Sequence, residues 1–450
     1  MAEIWRSGPL YRLVKHAVNF GLRAYFGRIA IKGRENLPTG KSYILAPNHQ
    51  NAFLDALLML QLDKWRPTVF LARADIFGNG LAAKVLRFLK IMPVYRARDG
   101  RQSLSNNDAI FQLSKDVVLH RVPLCLMAEG THNDRRQLLP LKKGMFRIAF
   151  AAKEKMGDEP LFIVPVGIDY QNYSTPGNAV VVNIGQPISI DGYMEGFRQN
   201  NALAINQLKE DLRMAMTAQM HNIQSTEHYD EFYLLSKLYA DARCTECGRK
   251  GAWQRFELRR QMSQRLDLLE QENPQRTVEI VAKVAETEVF CHDNGVNAMR
   301  IFEKRNLAML IFGTLLLVGI AVALAVIKWR LLVMLLLLCP IPFLPTRLLF
   351  RHQSDPQFVG SLNYAVQFVF SIVYIVVMTV FVWINEGWMF ALIALLAGVC
   401  VWRLGSFFGQ FVKQTVSGWH EIIFKRKYKS KAKESFDRFF FEIEKQKSCS

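Results

Sequence analysis

The sequence has no Gly-x-Ser-x-Gly segment, the sharp turn that presents a nucleophilic serine, so a serine acyl-enzyme of that type is not expected. Cysteine is scarce. Seven cysteines, an odd and scattered set, argue against a disulfide framework and for a reducing compartment. Cys244-Thr-Glu-Cys247 is a lone CxxC, with Cys291-His292 some distance on. Without a second ligand pair at suitable spacing it reads as free thiols, and no metal is expected. Thr39-Gly-Lys-Ser42 resembles the end of a phosphate-binding loop. The glycine that loop needs five residues before Gly40 is absent, since position 35 is Glu, and the segment leads into a strand where a helix is required. The chain shows neither an internal repeat nor a low-complexity tract. Its N-terminus, Met1-Ala-Glu-Ile-Trp-Arg, has no basic segment followed by an apolar core, so no signal peptide is expected.

Acidic residues are also in short supply. Asp and Glu number 39 against 57 Lys and Arg, a net charge of +18 over 450 residues. Such a balance implies an acidic partner: nucleic acid, anionic lipid or a phosphorylated small molecule. No nucleic-acid-binding motif accompanies the charge, so nucleic acid is not expected as a partner. Half of the residues are hydrophobic, and they are unevenly spread. Up to about residue 305 the pattern is that of a soluble or peripheral protein; from Leu307 to Leu404 it becomes long apolar blocks. Lipid headgroups therefore come first among acidic partners.

Four parts are expected: residues 1–224, an α/β domain opening on an amphipathic helix; 225–304, a charged helical connector; 305–420, a membrane region of about four spans; and 421–450, a basic cytoplasmic tail. Residues 8–27 mix apolar and basic side chains at helical spacing, suited to an anionic membrane surface or to packing on the domain. Strands are predicted at Arg28 to Lys32, Tyr43 to Ala46, Pro67 to Arg73, Ile91 to Tyr95, Val122 to Met127, Leu161 to Ile168 and Ala179 to Ile184. Helices are predicted around Asp55 and over Leu81 to Leu89, 105–120, Lys143 to Lys153 and 199–222. Strands alternating with helices indicate an α/β fold with a mostly parallel sheet, whose functional groups gather at the carboxyl edge. Helical periodicity continues through 225–304, which is read as a solvated helical arm.

Leu307–Ile327 is 21 residues without a charge, long enough to span a bilayer. Leu331–Phe350, broken by Pro340, Pro342 and Pro345, then Tyr364–Ile384 and the shorter Trp388–Val401, make about four predicted spans, the second and fourth alternatively re-entrant. Lys304-Arg305, Arg347, Arg351 and the lysine cluster of 425–433 place both ends on the cytoplasmic side by the positive-inside rule, against Lys328 and Arg330 in the first turn. Ionisable residues are rare in these blocks, which favours an anchor over a transport pathway. The tail's aromatics beside lysines suit a membrane-surface helix.

Polar clusters terminate four predicted strands: Asn48-His49 with Asp55, Arg96, Glu129-Gly130-Thr131, and Pro165-Val166-Gly167. They supply a general base with an orienting carboxylate, a cationic clamp and a Glu-Gly turn whose amides could face an oxyanion. That set suits acyl transfer to a hydroxyl on a phosphorylated acceptor by direct attack on a thioester. His49 alone could equally be a satisfied surface histidine; the accompanying clusters decide against it.

With those residues in view the chain resembles the PlsC-type glycerolipid acyltransferase family, which esterifies glycerol 3-phosphate or lysophosphatidate from acyl-CoA or acyl carrier protein. The matching pieces are Ala46-Pro-Asn-His-Gln-Asn-Ala-Phe-Leu-Asp55, Ile91-Met-Pro-Val-Tyr-Arg96, Ala128-Glu-Gly-Thr131 and Val164-Pro-Val-Gly167, in the family's order, with Asn183-Ile-Gly-Gln-Pro-Ile188 similar to the strand that ends the domain. The resemblance implies that His49 is the base and Asp55 its orienting carboxylate. It implies that Arg96 contacts the glycerol phosphate, that Glu129, Gly130 and Thr131 bind the acceptor, and that Pro165 shapes a pocket. Two departures stand out. Five residues separate His49 from Asp55, where the family usually has four, although some glycerol-phosphate acyltransferases share the longer spacing together with C-terminal membrane segments. His132 follows Glu-Gly-Thr, where arginine is common, and Arg135 or Arg136 is a candidate to replace that charge. Arg73, Arg98, Lys142 and Lys143 are further phosphate-clamp candidates. No cofactor beyond the acyl donor is implied.

The reading is a membrane-bound O-acyltransferase of phospholipid biosynthesis. Alternatives are a different acceptor (dihydroxyacetone phosphate, another lysophospholipid or an amine-linked lipid), a lipid transporter with an accessory acyltransferase-like domain, and a non-catalytic scaffold.

Overall fold

The structure is a computed structural model. It describes residues 3–63, 66–77, 80–95, 101–173, 176–246, 251–302, 310–316, 318–319, 356–389, 391–392, 395–396, 415, 419 and 425–445.

The centre of the fold is an eight-stranded sheet. Its strands are β1 (Arg28–Lys32), β2 (Ser42–Pro47), β3 (Val69–Arg73), β4 (Ile91–Val94), β5 (Leu124–Cys125), β6 (Leu161–Tyr170), β7 (Ala179–Ile184) and β8 (Ile188–Ser189). They run in the order β1-β7-β6-β2-β5-β3-β4, with β8 beside β6. Only β7 and β8 pair antiparallel, both to β6; the other pairs are parallel. β2 is buried along its whole length, which is why Tyr43 to Ala46 reads as an unbroken apolar run and not as an alternation.

Pro165 sits in the middle of this sheet, a place where a missing N–H is normally not tolerated. The register explains it. β6 pairs with β8 at Phe162 and Ile163 and with β7 from Val166 to Tyr170, so Pro165 falls at the changeover between those two partners. Its carbonyl is still used, accepting from the Gly185 amide at 2.9 Å.

Helices cover both faces. α3 (Leu81–Phe88) and α6 (Met194–Gln199) are short; α4 (Arg101–Leu119), α5 (Gly144–Met156) and α7 (Asn201–Gln219) bury Val117, Phe146, Phe150, Leu208 and Leu212 against Ile44 and Ile163. On the other face α1 (Pro9–Tyr25) and α2 (Ala52–Met59) bury Leu22, Tyr25, Leu54 and Leu58 against Leu45, Val164 and Val166. The predicted strand of 122–127 shortens to Leu124–Cys125. The amphipathic helix of 8–27 forms as α1 and packs its apolar side on this second face, while Leu10 and Leu13 stay exposed.

Residues 225–304 are not a solvated arm. α8 (Tyr229–Glu246), α9 (Ala252–Glu272) and α10 (Pro274–Asp293) share a core of Phe232, Leu235, Leu238, Met262, Leu266 and Val284. The helix Arg426–Lys445 buries Phe436, Phe439, Phe440 and Ile443 in that same core, so these aromatics pack on protein, while Phe441 stays exposed. Cys244 is buried in α8, and Cys247 lies outside the described residues.

Among the described residues one helix, Pro356–Glu386, is long and apolar, with Phe358–Asn385 long enough to cross a membrane. It contains the third expected span. Most of the other three lies outside the described residues, as do Lys328, Arg330, Arg347 and Arg351. Its first turns are docked. A Cβ on Gly21 of α1 would lie 2.7 Å from the Phe368 ring, and the Tyr364 hydroxyl donates to the Val18 carbonyl at 3.1 Å.

Candidate active site

The carboxyl ends of β6, β2 and β5 are neighbours, and the segments leaving β2 and β5 meet there. Asn48 closes the end of β2 onto β6: its side chain donates to the Ile168 carbonyl (3.1 Å) and accepts from the Ile168 amide (2.6 Å). His49 follows, its ring 17% exposed. Its Nδ1 lies 2.8 Å from Asp55 Oδ2.

Asp55 is fully buried in the first turn of α2. An unpaired carboxylate there would be prohibitively expensive, and four groups satisfy it. Oδ2 also accepts from the Gln50 and Asn51 amides, each at 2.8 Å, and Oδ1 accepts from the Tyr170 hydroxyl at 2.5 Å. Burial, and then the negative charge of Asp55, push the Tyr170 phenol well up, so it stays protonated and donates. The extra residue between His49 and Asp55 is absorbed in this loop. α2 begins only at Ala52, whose φ is +36°, a left-handed value uncommon outside glycine.

The β5 loop fixes the backbone of His49. Glu129 is buried, and one carboxylate oxygen accepts from the His49 amide while the other accepts from the Leu139 amide, both at 2.7 Å. The Asn133 amide donates to the His49 carbonyl at 3.0 Å. Burial pushes the Glu129 carboxyl up to about 7; the Leu139 and His49 amides offset only part of that. The carboxylate of Glu129 is thus engaged in holding His49. The Gly130 amide is committed too, to the Met127 carbonyl at 3.0 Å, so it is not the oxyanion donor the sequence suggested. Gly130 itself is required by its φ of +70°, with Lys142 packed where a Cβ would point.

The remaining expected residues are distributed as follows. Thr131, Arg135, Lys142 and Lys143 are exposed, and Arg73 is half-buried at the end of β3. Arg135 lies over the Tyr229 ring, 4.8 Å from its centroid. Pro165 is buried in β6 opposite Ala46. Arg96 and Arg98 lie outside the described residues. Arg136, a candidate clamp by sequence, is instead buried and bound to Asp169 at 2.6 Å, a structural cation and not a substrate clamp. It also donates to Gln50 Oε1 at 3.2 Å and to the Tyr170 carbonyl. Arg259 of α9 takes the other oxygen of Asp169. The helical unit is therefore keyed, through Asp169 and Arg136, to the residue beside His49.

Tyr170, Asp169, Gln50 and Asn133 were not singled out in the sequence. Asp169-Tyr170 carried a weak signal, as a polar pair at the end of an otherwise apolar predicted strand. Among the described residues no group of three or more His, Cys, Asp or Glu side chains is arranged to hold a metal.

Residues 28–169 match the Acyltransferase family model. A 1-acyl-sn-glycerol-3-phosphate acyltransferase alpha from Homo sapiens is 27% identical over 129 residues, covering 28% of this chain and 42% of that protein. The Mus musculus protein of the same name is 26% identical over 179 residues, covering 37% of this chain and 56% of that one. The match thus spans about half the length of these relatives. Among solved structures, the 1-acyl-sn-glycerophosphate acyltransferase PlsC of Thermotoga maritima aligns with a TM-score of 0.31 and 22% identity, over 45% of this chain and 80% of that one.

Proposed function

We propose that the Acyltransferase-family domain over residues 28–169 transfers a fatty acyl group from a thioester, acyl-CoA or acyl carrier protein, to the free hydroxyl of lysophosphatidate. The observation that carries this reading is the His49–Asp55 pair at the carboxyl edge of the sheet. A hydrogen bond from Nδ1–H to Asp55 sets the tautomer whose Nε2 holds a lone pair. Nε2 then takes the acceptor's hydroxyl proton as the oxygen attacks the thioester carbonyl. Collapse of the tetrahedral intermediate breaks the carbon–sulfur bond, and His49 returns the proton to the departing thiolate. The thioester supplies the activation, and the step calls for no further cofactor.

Asp55 orients the ring and stabilises the imidazolium that forms, while Glu129 holds the backbone beneath it. Arg96, two residues beyond β4 in sequence, is proposed to hold the acceptor phosphate, with Arg73, Arg98, Arg135 and Lys143 adding positive charge around it. Gly130 and Thr131, in the loop that follows β5, are proposed to bind the acceptor, and Pro165 to shape its pocket.

The protein is proposed to be integral to the membrane, with this domain at the cytoplasmic face. Phe358–Asn385, 28 residues, is about 42 Å long at ~1.5 Å per residue. That exceeds the ~30 Å hydrocarbon core, so its first turns can dock on the domain while the rest spans. Glycerol 3-phosphate is the second acceptor considered; the shared phosphate and hydroxyl favour neither by geometry. Purified full-length protein assayed with labelled acyl-CoA and acyl carrier protein against both acceptors distinguishes them. Product from lysophosphatidate supports the reading; inactivity of folded protein with every donor and acceptor overturns it.

A further inference from the structure

α2 carries Asp55, and the side chain of its N-cap residue Asn51 makes no capping bond. The Leu54 amide in its first turn donates to the Asn51 carbonyl at 2.9 Å, and a side chain more than three hundred residues away bonds both of those groups. Ser361 of the apolar helix is buried. Its Oγ accepts from the Leu54 amide at 3.2 Å and donates to the Asn51 carbonyl at 2.8 Å. A serine oxygen on an amide in the first turn is ordinary N-cap chemistry, here supplied in trans.

The approach is close on both sides. A Cβ on Gly360 would stand 2.1 Å from the Tyr173 carbonyl and 2.8 Å from Asn51 Nδ2, so only glycine lets Ser361 reach. The Tyr25 hydroxyl donates to the Gly360 carbonyl at 3.2 Å. One turn earlier, Phe358 sets its ring edge-on to His132, with centroids 4.7 Å apart, and His132 is edge-on to His49 at 5.4 Å.

We infer that Ser361 is a positioning residue for the His49–Asp55 pair, holding the start of α2, and with it Asp55, through the apolar helix. The helix is then part of the active site and not only an anchor. Seating it completes the site at the place where a lipid acceptor arrives. A loosened first turn moves Asp55 relative to His49, and a displacement of about 1 Å at such a pair can lower turnover by up to ~100-fold.

This inference rests on the acyl-transfer reading. The test compares wild type with Ser361→Ala in the full chain, using acyl-CoA and lysophosphatidate in vesicles, with turnover expressed per folded molecule. Amide hydrogen exchange over residues 51–56 is read in parallel. The expected result is a kcat lowered roughly tenfold or more with KM little changed, together with faster exchange at the start of α2. Normal kcat overturns the inference, as does a fall in kcat with exchange unaltered. An inactive wild type would instead count against the acyl-transfer reading itself.

Discussion

His49 Nδ1 and Asp55 Oδ2 are 2.8 Å apart across an intervening stretch of five residues. They meet because His49 and Asp55 do not share a helix. His49 belongs to the loop leaving β2, and Asp55 folds back over that loop to take the Gln50 and Asn51 amides. Asp55 thus builds the turn that presents the histidine and orients its ring. Asp55→Asn is expected to lower kcat by about 100-fold or more, the range for a disabled acid–base group, with membrane insertion retained. Steady-state kinetics of the purified variant checks this; a loss confined to KM would contradict it.

Tyr170 completes the buried carboxylate. Tyr170→Phe keeps the ring in its packing and removes only the donor to Oδ1, a bond to a charged group worth roughly 1.5–3 kcal/mol. Turnover is expected to fall about tenfold with little change in KM, as read by the same assay. Unchanged turnover would show that the two loop amides and His49 suffice to hold Asp55.

Ala52 reports how the longer loop is accommodated. Glycine in place of alanine inside a helix usually costs about 1 kcal/mol. At the left-handed φ of Ala52 the balance reverses, since a side chain there costs about 1–2 kcal/mol. Ala52→Gly is expected to raise the thermal unfolding midpoint in detergent; a lowered midpoint would contradict the geometry of this turn.

Asp169 lies between two buried guanidinium groups, Arg136 and Arg259. Neutralising one member of a buried charge network leaves its partners uncompensated, a loss of roughly 3–5 kcal/mol. Asp169→Asn is expected to destabilise the domain on that scale in denaturant unfolding, and to impair turnover through Arg136 and Gln50. An effect below about 1 kcal/mol would show that the two arginines find other partners.

Glu129 gives a pH signature. Its carboxyl is raised to about 7 in the folded chain, against an ordinary value near ~4.3. Between those values the folded state binds more protons than the unfolded one. Its contribution therefore falls as pH rises through that window, by a few kcal/mol at most. Glu129→Gln is expected to flatten the stability difference between pH 5 and about 7.5; a difference identical to wild type would contradict the shift.

Much of the α/β domain was legible because its strands are buried on both faces and so appear as short apolar runs between polar helices. His49 and Asp55 were legible because both lie beside one such run. Ser361 was not: nothing local marks a serine in an apolar helix as the cap of a helix 307 residues earlier. The C-terminal helix misled for a different reason. Phe436, Phe439 and Phe440 beside lysines satisfy a membrane surface or a protein core equally well, and here the core of α8–α10 takes them. Arg136 read as a candidate for the charge usual after Glu-Gly-Thr because its buried partner, Asp169, lies 33 residues on and nothing local marks the pair.

The most direct measurement is turnover of His49→Ala. In the purified full chain, acyl transfer from acyl-CoA to lysophosphatidate is followed with wild type and variant at matched membrane incorporation. Loss of a general base at this position is expected to reduce kcat by about 100- to 10,000-fold, with thermal unfolding unchanged. Near-wild-type turnover by a folded His49→Ala protein would contradict the assignment of His49 as the base, and with it the proposed reaction at this sheet edge.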